Sequence, residues 1–160
     1  MPRHKTKSLQ RSIPADRRYG SVLVQRLINK SLTQGKKQLA ERQVYLALDL
    51  AAQQVGSKEE PLAVFETAIK NLYPQFEVKS RRVGGANYQI PFAIQGGRQQ
   101  HFAFTWLVAA ARQRNGMPYA RALAAEIVDA YNKTGTAFKK KEDTHKMAEA
   151  NRAFAHFARS

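Results

Sequence analysis

Apolar residues recur at intervals of three and four along most of this chain, the spacing that predicts amphipathic helices. Glycine or proline bounds most of these segments, and both residues commonly end one element before the next begins. Ser21 is the expected N-cap of the first helix. The buried face of the fourth helix is predicted to comprise Phe102, Trp106, Ala109 and Ala110. Six helices are predicted in all, with approximate bounds at residues 21–32, 37–55, 61–72, 98–114, 120–131 and 136–157.

Between the third and fourth predicted helices the apolar spacing changes to two, over about residues 76–90. Gly84 and Gly85 lie at the middle of this stretch and supply the positive φ angles that a tight turn needs. The pattern predicts a β-hairpin, which is only marginally stable alone and must pack against helices or a partner. The predicted fold class is therefore mainly α: a bundle of about six helices with one protruding β-hairpin.

The chain is long enough for one domain with a single sizeable core. Residues 1–18 lack helical periodicity and contain two prolines, so we expect a disordered basic N-terminal arm that orders on a partner. Residues 19–160 are predicted to form a single helical domain that contains the hairpin. No apolar run approaches the roughly 20 residues of a membrane span, and the basic N-terminus lacks the apolar segment of a secretory signal.

The charge of the chain indicates more about its binding partners than its apolar content does. It contains 27 Lys and Arg against 12 Asp and Glu, a formal net charge of +15. Residues 1–37 carry ten basic and one acidic side chain, whereas residues 38–72 carry three and five. Such a charge attracts phosphate polymers at long range. Anionic membranes and acidic proteins are rival partners, but no helix combines an aromatic apolar face with a lysine-lined polar face.

The residue types that catalysis needs do not form a recognisable site. The chain has no cysteine, which excludes disulfides, thiolate zinc sites and cysteine nucleophiles. Glu142 and His145 have the E-x-x-H spacing of di-iron carboxylate bundles, but those sites need a second copy and two more glutamates. We interpret Glu142, His145 and Glu149 as a solvent-exposed ladder, with a metalloenzyme as the alternative. No enzyme activity, metal or cofactor is expected, and the glycine pairs match no phosphate-loop motif.

Basic residues cluster in the arm, at the start of the second helix, at the hairpin tip and in the sixth helix. One such cluster is often only solvated surface, but several on so positive a chain favour nucleic-acid binding. No recognition helix of a DNA reader and no motif of the common RNA modules stands out. A folded RNA contacted on several sides is therefore favoured, and a DNA-architectural protein is the alternative. Phe102, Trp106 and Tyr131 are interpreted as packing residues, while Tyr88 could pack or stack on a base.

Several specific motifs occur together in this chain. The hairpin reads V-K-S-R-R-V-G-G-A-N-Y-Q-I-P, the fourth helix contains W-L-V-A-A-A-R, and the last helix contains K-K-E-D-T-H-K-M-A-E-A-N-R-A-F-A-H-F. With M-P-R at the start and shorter collinear matches between, the chain resembles the universal small-subunit ribosomal protein seven family in its bacterial form. The loop Gly96-Gly97 with Arg98 departs from the more charged loop of many relatives.

The resemblance implies a structural protein of the small ribosomal subunit. Such a protein binds the 3′ major (head) domain of the small-subunit rRNA, nucleates head assembly, and lines the exit (E) site in contact with tRNA and mRNA. Neighbouring head and platform ribosomal proteins are further implied partners, whereas neither a membrane nor a stable homo-oligomer is expected. The implied location is the bacterial cytoplasm, or the interior of an organelle if the chain is organelle-encoded.

The resemblance and the basic clusters together assign the contact residues. Those expected to bind rRNA are Arg3, Lys5, Lys7, Arg11, Lys30, Lys36, Lys37, Lys79, Arg112, Arg114, Lys139, Lys140, Lys141, Lys146 and Arg152. The exit-site contacts with tRNA and mRNA are expected at the hairpin tip, at Arg81, Arg82, Val83, Gly84 and Gly85.

Overall fold

The structure is a computed structural model that describes residues 12–56 and 60–158. The elements follow in the order α1 (Val22–Ser31), α2 (Lys37–Val55), α3 (Pro61–Leu72), β1 (Phe76–Val83), β2 (Ala86–Ala93), α4 (Gly97–Gln113), α5 (Tyr119–Tyr131), α6 (Gly135–Ala150) and a 3₁₀ helix (Arg152–Ala158). The predicted fold class, mainly helical with a hairpin between the third and fourth helices, is confirmed. The predicted arm contacts at Arg3, Lys5, Lys7 and Arg11 lie outside the described residues.

Helix α5 lies at the centre of the helical body, in contact with α2, α3, α4 and α6. Its buried side chains Leu123 and Ile127 share one hydrophobic cluster with Leu48 of α2, Phe65 of α3 and Leu107 of α4. Full burial of each such side chain contributes roughly 1.5–3 kcal/mol, which offsets the entropy lost on ordering the chain. Among the described helices, none is long and apolar enough to cross a membrane.

The buried face of α4 differs from the predicted one. The buried residues are Ala103, Phe104, Leu107, Val108, Ala110 and Ala111. Ala109 is exposed, so the prediction was wrong at this position, whereas Phe102 and Trp106 are half-buried and Trp106 packs against the hydrophobic cluster. The residues that recur at i, i+3, i+4 and i+7 from Phe104 form the inward stripe. The rings of Phe102 and Trp106 therefore lie at the edge of the core.

The hairpin is a two-stranded antiparallel sheet whose register runs from the pair Phe76 and Ala93 to the pair Val83 and Ala86. It extends three residues beyond the predicted end at 90. Gly84 and Gly85 form the turn with φ angles of 56° and 91°, as their positions predicted. The strand passes through Pro91 because a two-stranded sheet has outer edges on which a missing N–H costs no ladder bond.

The predicted sixth helix is divided in two. Helix α6 ends at Ala150, and the chain continues as the 3₁₀ helix, which packs on β2. Tyr88 of β2 lies 5.1 Å from Phe154 and 5.6 Å from Phe157, measured between ring centroids. Arg81 also donates a hydrogen bond of 3.0 Å to the carbonyl oxygen of Phe157. The prediction of one continuous helix to residue 157 was wrong because these contacts turn the chain toward the hairpin.

Asp16 attaches the residues before α1 to the helical body. Its carboxylate, 4% exposed, accepts hydrogen bonds from the backbone N–H groups of Arg18, Tyr19 and Ser21 and from the hydroxyl of Tyr45 in α2. Burial alone would raise the pKa of Asp16, but these hydrogen bonds lower it. The expected side-chain cap by Ser21 is absent, so within the described residues an aspartate-centred turn precedes α1 instead.

Candidate nucleic-acid interface

The turn between α1 and α2 presents the first basic cluster. Gln34 and Gly35 both have positive φ angles, 52° and 73°, and this tight turn leads into Lys36 and Lys37 at the start of α2. Arg112 of α4 donates hydrogen bonds of 3.3 Å to the carbonyl oxygen of Ser31 and to the hydroxyl of Thr33. These contacts place the guanidinium beside the turn.

An open groove of about 340 Å³ lies at this turn, with both Lys36 and Arg112 among its lining residues. Lys37 lies 3.9 Å from Glu41, a surface ion pair of little energetic weight. Lys30 lines a separate groove between α1 and the start of α4. The structure thus brings the predicted residues Lys36, Lys37 and Arg112 together, and places Lys30 elsewhere on the body.

A buried carboxylate organises the base of the hairpin. Glu77 of β1, whose side chain is 7% exposed, lies 2.7 Å from the ammonium of Lys79. It also accepts a hydrogen bond of 2.8 Å from Nε of Arg98 in α4, and a terminal nitrogen of the same guanidinium lies 2.7 Å away as an ion pair. Burial opposes ionisation of Glu77, but the hydrogen bonds and charges of Lys79 and Arg98 outweigh it and lower its pKa. Both cations remain half-exposed, so the cluster presents positive charge to the solvent.

The hairpin tip is open to the solvent. Arg82, Gly84 and Gly85 are exposed, and Val83 is half-buried. Within the described residues Arg82 makes no ion pair, whereas Arg81 is held by its hydrogen bond to the carbonyl of Phe157. The two arginines predicted to act alike are both exposed, but only Arg81 is held by a hydrogen bond to another element.

The lysines of α6 also divide into two groups. Lys139, Lys140 and Lys146 are exposed, as is Arg152 in the 3₁₀ helix. Lys141 instead donates a hydrogen bond of 2.6 Å to the carbonyl oxygen of Asn71 at the end of α3. Burial lowers the pKa of this ammonium group. Lys141 therefore contributes chiefly to packing.

Arg114 is likewise engaged within the protein. Its guanidinium donates a 2.7 Å hydrogen bond to the carboxylate of Glu126, which is 1% exposed, and pairs with Asp129 as well. A carboxylate so deeply buried requires a charged partner. We therefore leave Arg114 out of the interface proposed below.

His145 does not lie on an open ladder as its spacing suggested. Its Nε2 accepts a hydrogen bond of 2.9 Å from the backbone N–H of Gln75, and its ring packs edge-on against Phe76 at 6.3 Å. Burial, and next the charge of Lys141, lower the pKa of His145. No group of three or more potential metal ligands occurs within residues 12–56 and 60–158. The imidazole acts here as an acceptor that connects α6 to the base of the hairpin.

Helix α4 carries a feature that sequence reasoning assigned to the core. The guanidinium of Arg98 lies 4.6 Å from the ring centroid of Phe102, and Phe102 lies 5.4 Å from Trp106 at an interplanar angle of 31°. These three residues, here termed the α4 ladder, recur at i, i+4 and i+8 along one side of the helix. The sequence alone shows this spacing. The structure places the ladder at the edge of the core, where Trp106 still packs against the hydrophobic cluster.

Comparison with known proteins gives a consistent result over almost the whole chain. Residues 2–152 match the model of the family described as ribosomal protein S7p/S5e. The small ribosomal subunit protein uS7 of Chloroflexus aggregans is 55% identical over 150 residues, which cover 94% of each chain. The protein of the same name from Thermomicrobium roseum is 54% identical over 157 residues, covering 98% of this chain and 99% of the relative. That from Thermotoga petrophila is 53% identical over 92% of this chain and 94% of its own.

Proposed function

The chain belongs to the ribosomal protein S7p/S5e family and is a structural constituent of the small ribosomal subunit, and on this premise we propose that it binds the 3′ major (head) domain of the small-subunit rRNA and nucleates head assembly. Proteins of this family are structural and not enzymes, so the expectation that the chain has no catalytic activity is confirmed. Its action is therefore to hold RNA in a defined shape.

The placement of the exposed cations carries this proposal. Lys36 and Lys37 lie at the start of α2, Lys139 and Lys140 lie on α6, and Arg82 lies at the hairpin tip. These groups belong to separate elements of the fold, so a single ligand that contacts all of them must follow the shape of the protein surface. Neutralisation of phosphates by such cations supplies affinity without base reading. An RNA domain recognised by shape meets this requirement.

The hairpin tip supports a second part of the proposal. Strands of eight residues are roughly 25 Å long, so the tip lies well away from the ion pairs at Glu77. We propose that Arg81, Arg82, Val83, Gly84 and Gly85 approach tRNA and mRNA at the exit site. The exposed glycines support this role because they allow a sugar-phosphate chain to come close to the backbone.

The location and the protein partners follow from the same premise. The similar proteins come from bacteria, which supports a place in the bacterial ribosome, in the cytoplasm. Neighbouring ribosomal proteins of the head and platform are the proposed protein partners.

A binding titration tests the proposal directly. The full chain is titrated with the 3′ major domain fragment, with a scrambled RNA of equal length, and with a DNA duplex, each over a range of salt concentrations. We expect the fragment to stay bound at salt concentrations that release both competitors, because shape complementarity adds to phosphate neutralisation. Equal and equally salt-dependent binding to all three would overturn the proposal and leave a non-specific polycation.

A further inference from the structure

Trp106 lies at the junction of two clefts, one of which also contains the proposed phosphate contacts Lys139 and Lys140. One cleft, of about 280 Å³, lies between α4 and α6 and is termed here the α4–α6 cleft. Its lining includes Ala109 and Gln113 of α4 and Lys139, Lys140 and Asp143 of α6. The other lies at the base of the hairpin, where Phe76 and Met147 are exposed. The indole is therefore half-buried and still borders open space.

The α4–α6 cleft combines features that favour an unpaired nucleotide. The indole offers a flat aromatic surface, and Phe102 and Arg98 support it from the N-terminal side as the α4 ladder. Lys139 and Lys140 lie on the opposite wall and are exposed, so they are available to a phosphate. A ligand cleft of this kind needs an apolar surface and a few polar groups that fix orientation.

The orientation of Arg98 is set by Glu77. The buried carboxylate accepts a hydrogen bond from Nε of Arg98 and forms an ion pair with a terminal nitrogen of it, and the guanidinium carbon lies 4.6 Å from the Phe102 centroid. The ladder is thus assembled before any ligand arrives. A preorganised aromatic surface loses little entropy when a base stacks on it.

We propose that Trp106, within the α4–α6 cleft, is a stacking site for one unpaired nucleobase of the bound RNA, with Lys139 and Lys140 on its phosphate. This inference rests on the proposed RNA-binding function and adds a mode of recognition to it. Aromatic stacking is available to every base, whereas a duplex offers no free base face at this position.

Asp143 distinguishes between the bases that could enter the α4–α6 cleft. The carboxylate of Asp143 lines the same cleft and can accept a hydrogen bond from the exocyclic amine of a base. Adenine carries such an amine and a large stacking surface, whereas uracil lacks the amine. Adenine is therefore expected to bind in this cleft more tightly than uracil.

The only tryptophan of the chain makes the test direct, because all indole fluorescence comes from Trp106. The probes are short oligoadenylate, oligouridylate and an abasic oligomer with the same number of phosphates. The anisotropy of a label on each oligomer measures binding independently of the indole. We expect oligoadenylate to quench most of the Trp106 emission at saturation, oligouridylate less, and the abasic oligomer none while it still binds.

The outcomes separate this inference from the proposed function. Binding of all three oligomers with equal quenching, or with none, overturns the stacking site and leaves RNA binding intact. Failure of both the oligomers and the head-domain fragment to bind overturns the proposed function itself. A quench that depends on the base supports stacking.

Two substitutions distinguish stacking from packing. Trp106→Phe keeps an aromatic ring, whereas Trp106→Leu keeps an apolar side chain without a π face. We expect Trp106→Leu to weaken binding of the head-domain fragment about tenfold at an unchanged salt slope, and Trp106→Phe to remain within a few-fold of wild type. A packing residue would instead lower the melting temperature in both variants and leave the affinity of the folded protein equal in both, which would overturn the proposal.

Discussion

Arg114 follows α4 with its guanidinium against the buried carboxylate of Glu126. Removing the arginine would leave that carboxylate buried and uncompensated. We expect Arg114→Ala to lower the free energy of unfolding by about 3 kcal/mol, the lower end of the range for breaking such a pair, because Arg114 is partly exposed. Urea denaturation measures this loss.

The matched control replaces both partners of this ion pair. Arg114→Met with Glu126→Leu should recover most of the lost stability, since no charge is then left buried. If Arg114→Ala were instead fully stable and lowered the salt slope of RNA binding by about one, Arg114 would be a phosphate contact after all.

His145 gives the structure a dependence on pH. Its pKa is lowered, so between that lowered value and 6.5 the unfolded chain holds a proton that the folded chain does not. Stability therefore rises with pH through this window, is complete above 6.5, and is lost as the pH falls below it. We expect the free energy of unfolding to decrease from pH 7.5 to pH 5.5, because protonated His145 cannot accept the hydrogen bond from Gln75.

Comparison with His145→Gln isolates this contribution, because glutamine keeps an acceptor and does not titrate. Glu142 favours the protonated imidazole and Lys141 disfavours it, while Glu149 and Arg152 line the same cavity. Equal pH dependence of the two proteins, measured by chemical denaturation, would assign the effect to the other histidines.

Basic residues that look alike in the sequence have different roles in the structure. Lys139 and Lys141, or Arg112 and Arg114, are alike in type and local setting. Their different uses are set by partners distant in sequence: Asn71 lies 70 residues before Lys141, and Glu126 lies 12 after Arg114. The sequence shows which residues are basic, but only the tertiary contacts show which of them remain available to a ligand.

At the scale of elements, the 3₁₀ helix determines how rigid the hairpin is. Tyr88 packs against Phe154 and Phe157, and such aromatic pairs contribute about 0.5–1.5 kcal/mol each beyond their burial. We expect Tyr88→Ala to speed hydrogen exchange of the hairpin amides about tenfold, with little change in the α5 amides. Tyr88→Phe keeps the ring and should exchange like wild type, whereas uniform acceleration across the molecule would show that the contact stabilises the whole fold instead.

The hairpin tip can be tested apart from its base. Replacing residues 82–87 with a short Asn-Gly turn removes the tip beyond the Arg81–Tyr88 pair and keeps the strand register and the Glu77 ion pairs. We expect unchanged binding to the head-domain fragment and weaker exit-site tRNA binding in assembled subunits, measured by filter binding. If no subunits assembled with this variant, the proposed division between base and tip would be wrong.

The elements were predicted well where one pattern dominated. Period-two alternation around Gly84-Gly85 predicted the hairpin, and glycines and prolines predicted most helix ends to within a residue or two. The face of α4 was mispredicted because Phe102, Phe104 and Trp106 are all apolar and define two overlapping stripes. Only packing against α5, α6 and the hairpin distinguishes the stripes.

At the scale of the whole molecule, the unequal distribution of charge should appear in the salt dependence of binding. We expect Lys36→Ala with Lys37→Ala to lower the slope of log affinity against log salt by about two for the head-domain fragment, one for each phosphate contact. Lys70→Ala with Arg121→Ala removes the same charge from exposed positions outside the proposed clusters and serves as the control. Equal loss of slope in both variants would mean that net charge, and not these positions, governs binding.

The hairpin can finally be considered as a cantilever with two supports. The ion pairs of Glu77 hold its root, and the 3₁₀ helix holds β2 at Tyr88, which lies opposite Arg81 in the register. The unsupported overhang is therefore only residues 82–87 and not the whole length of the strands. The stiffness of a beam rises steeply as its free length shortens. We therefore expect the hairpin to bend little under a lateral force and to hold its tip at a nearly fixed distance from the helical body.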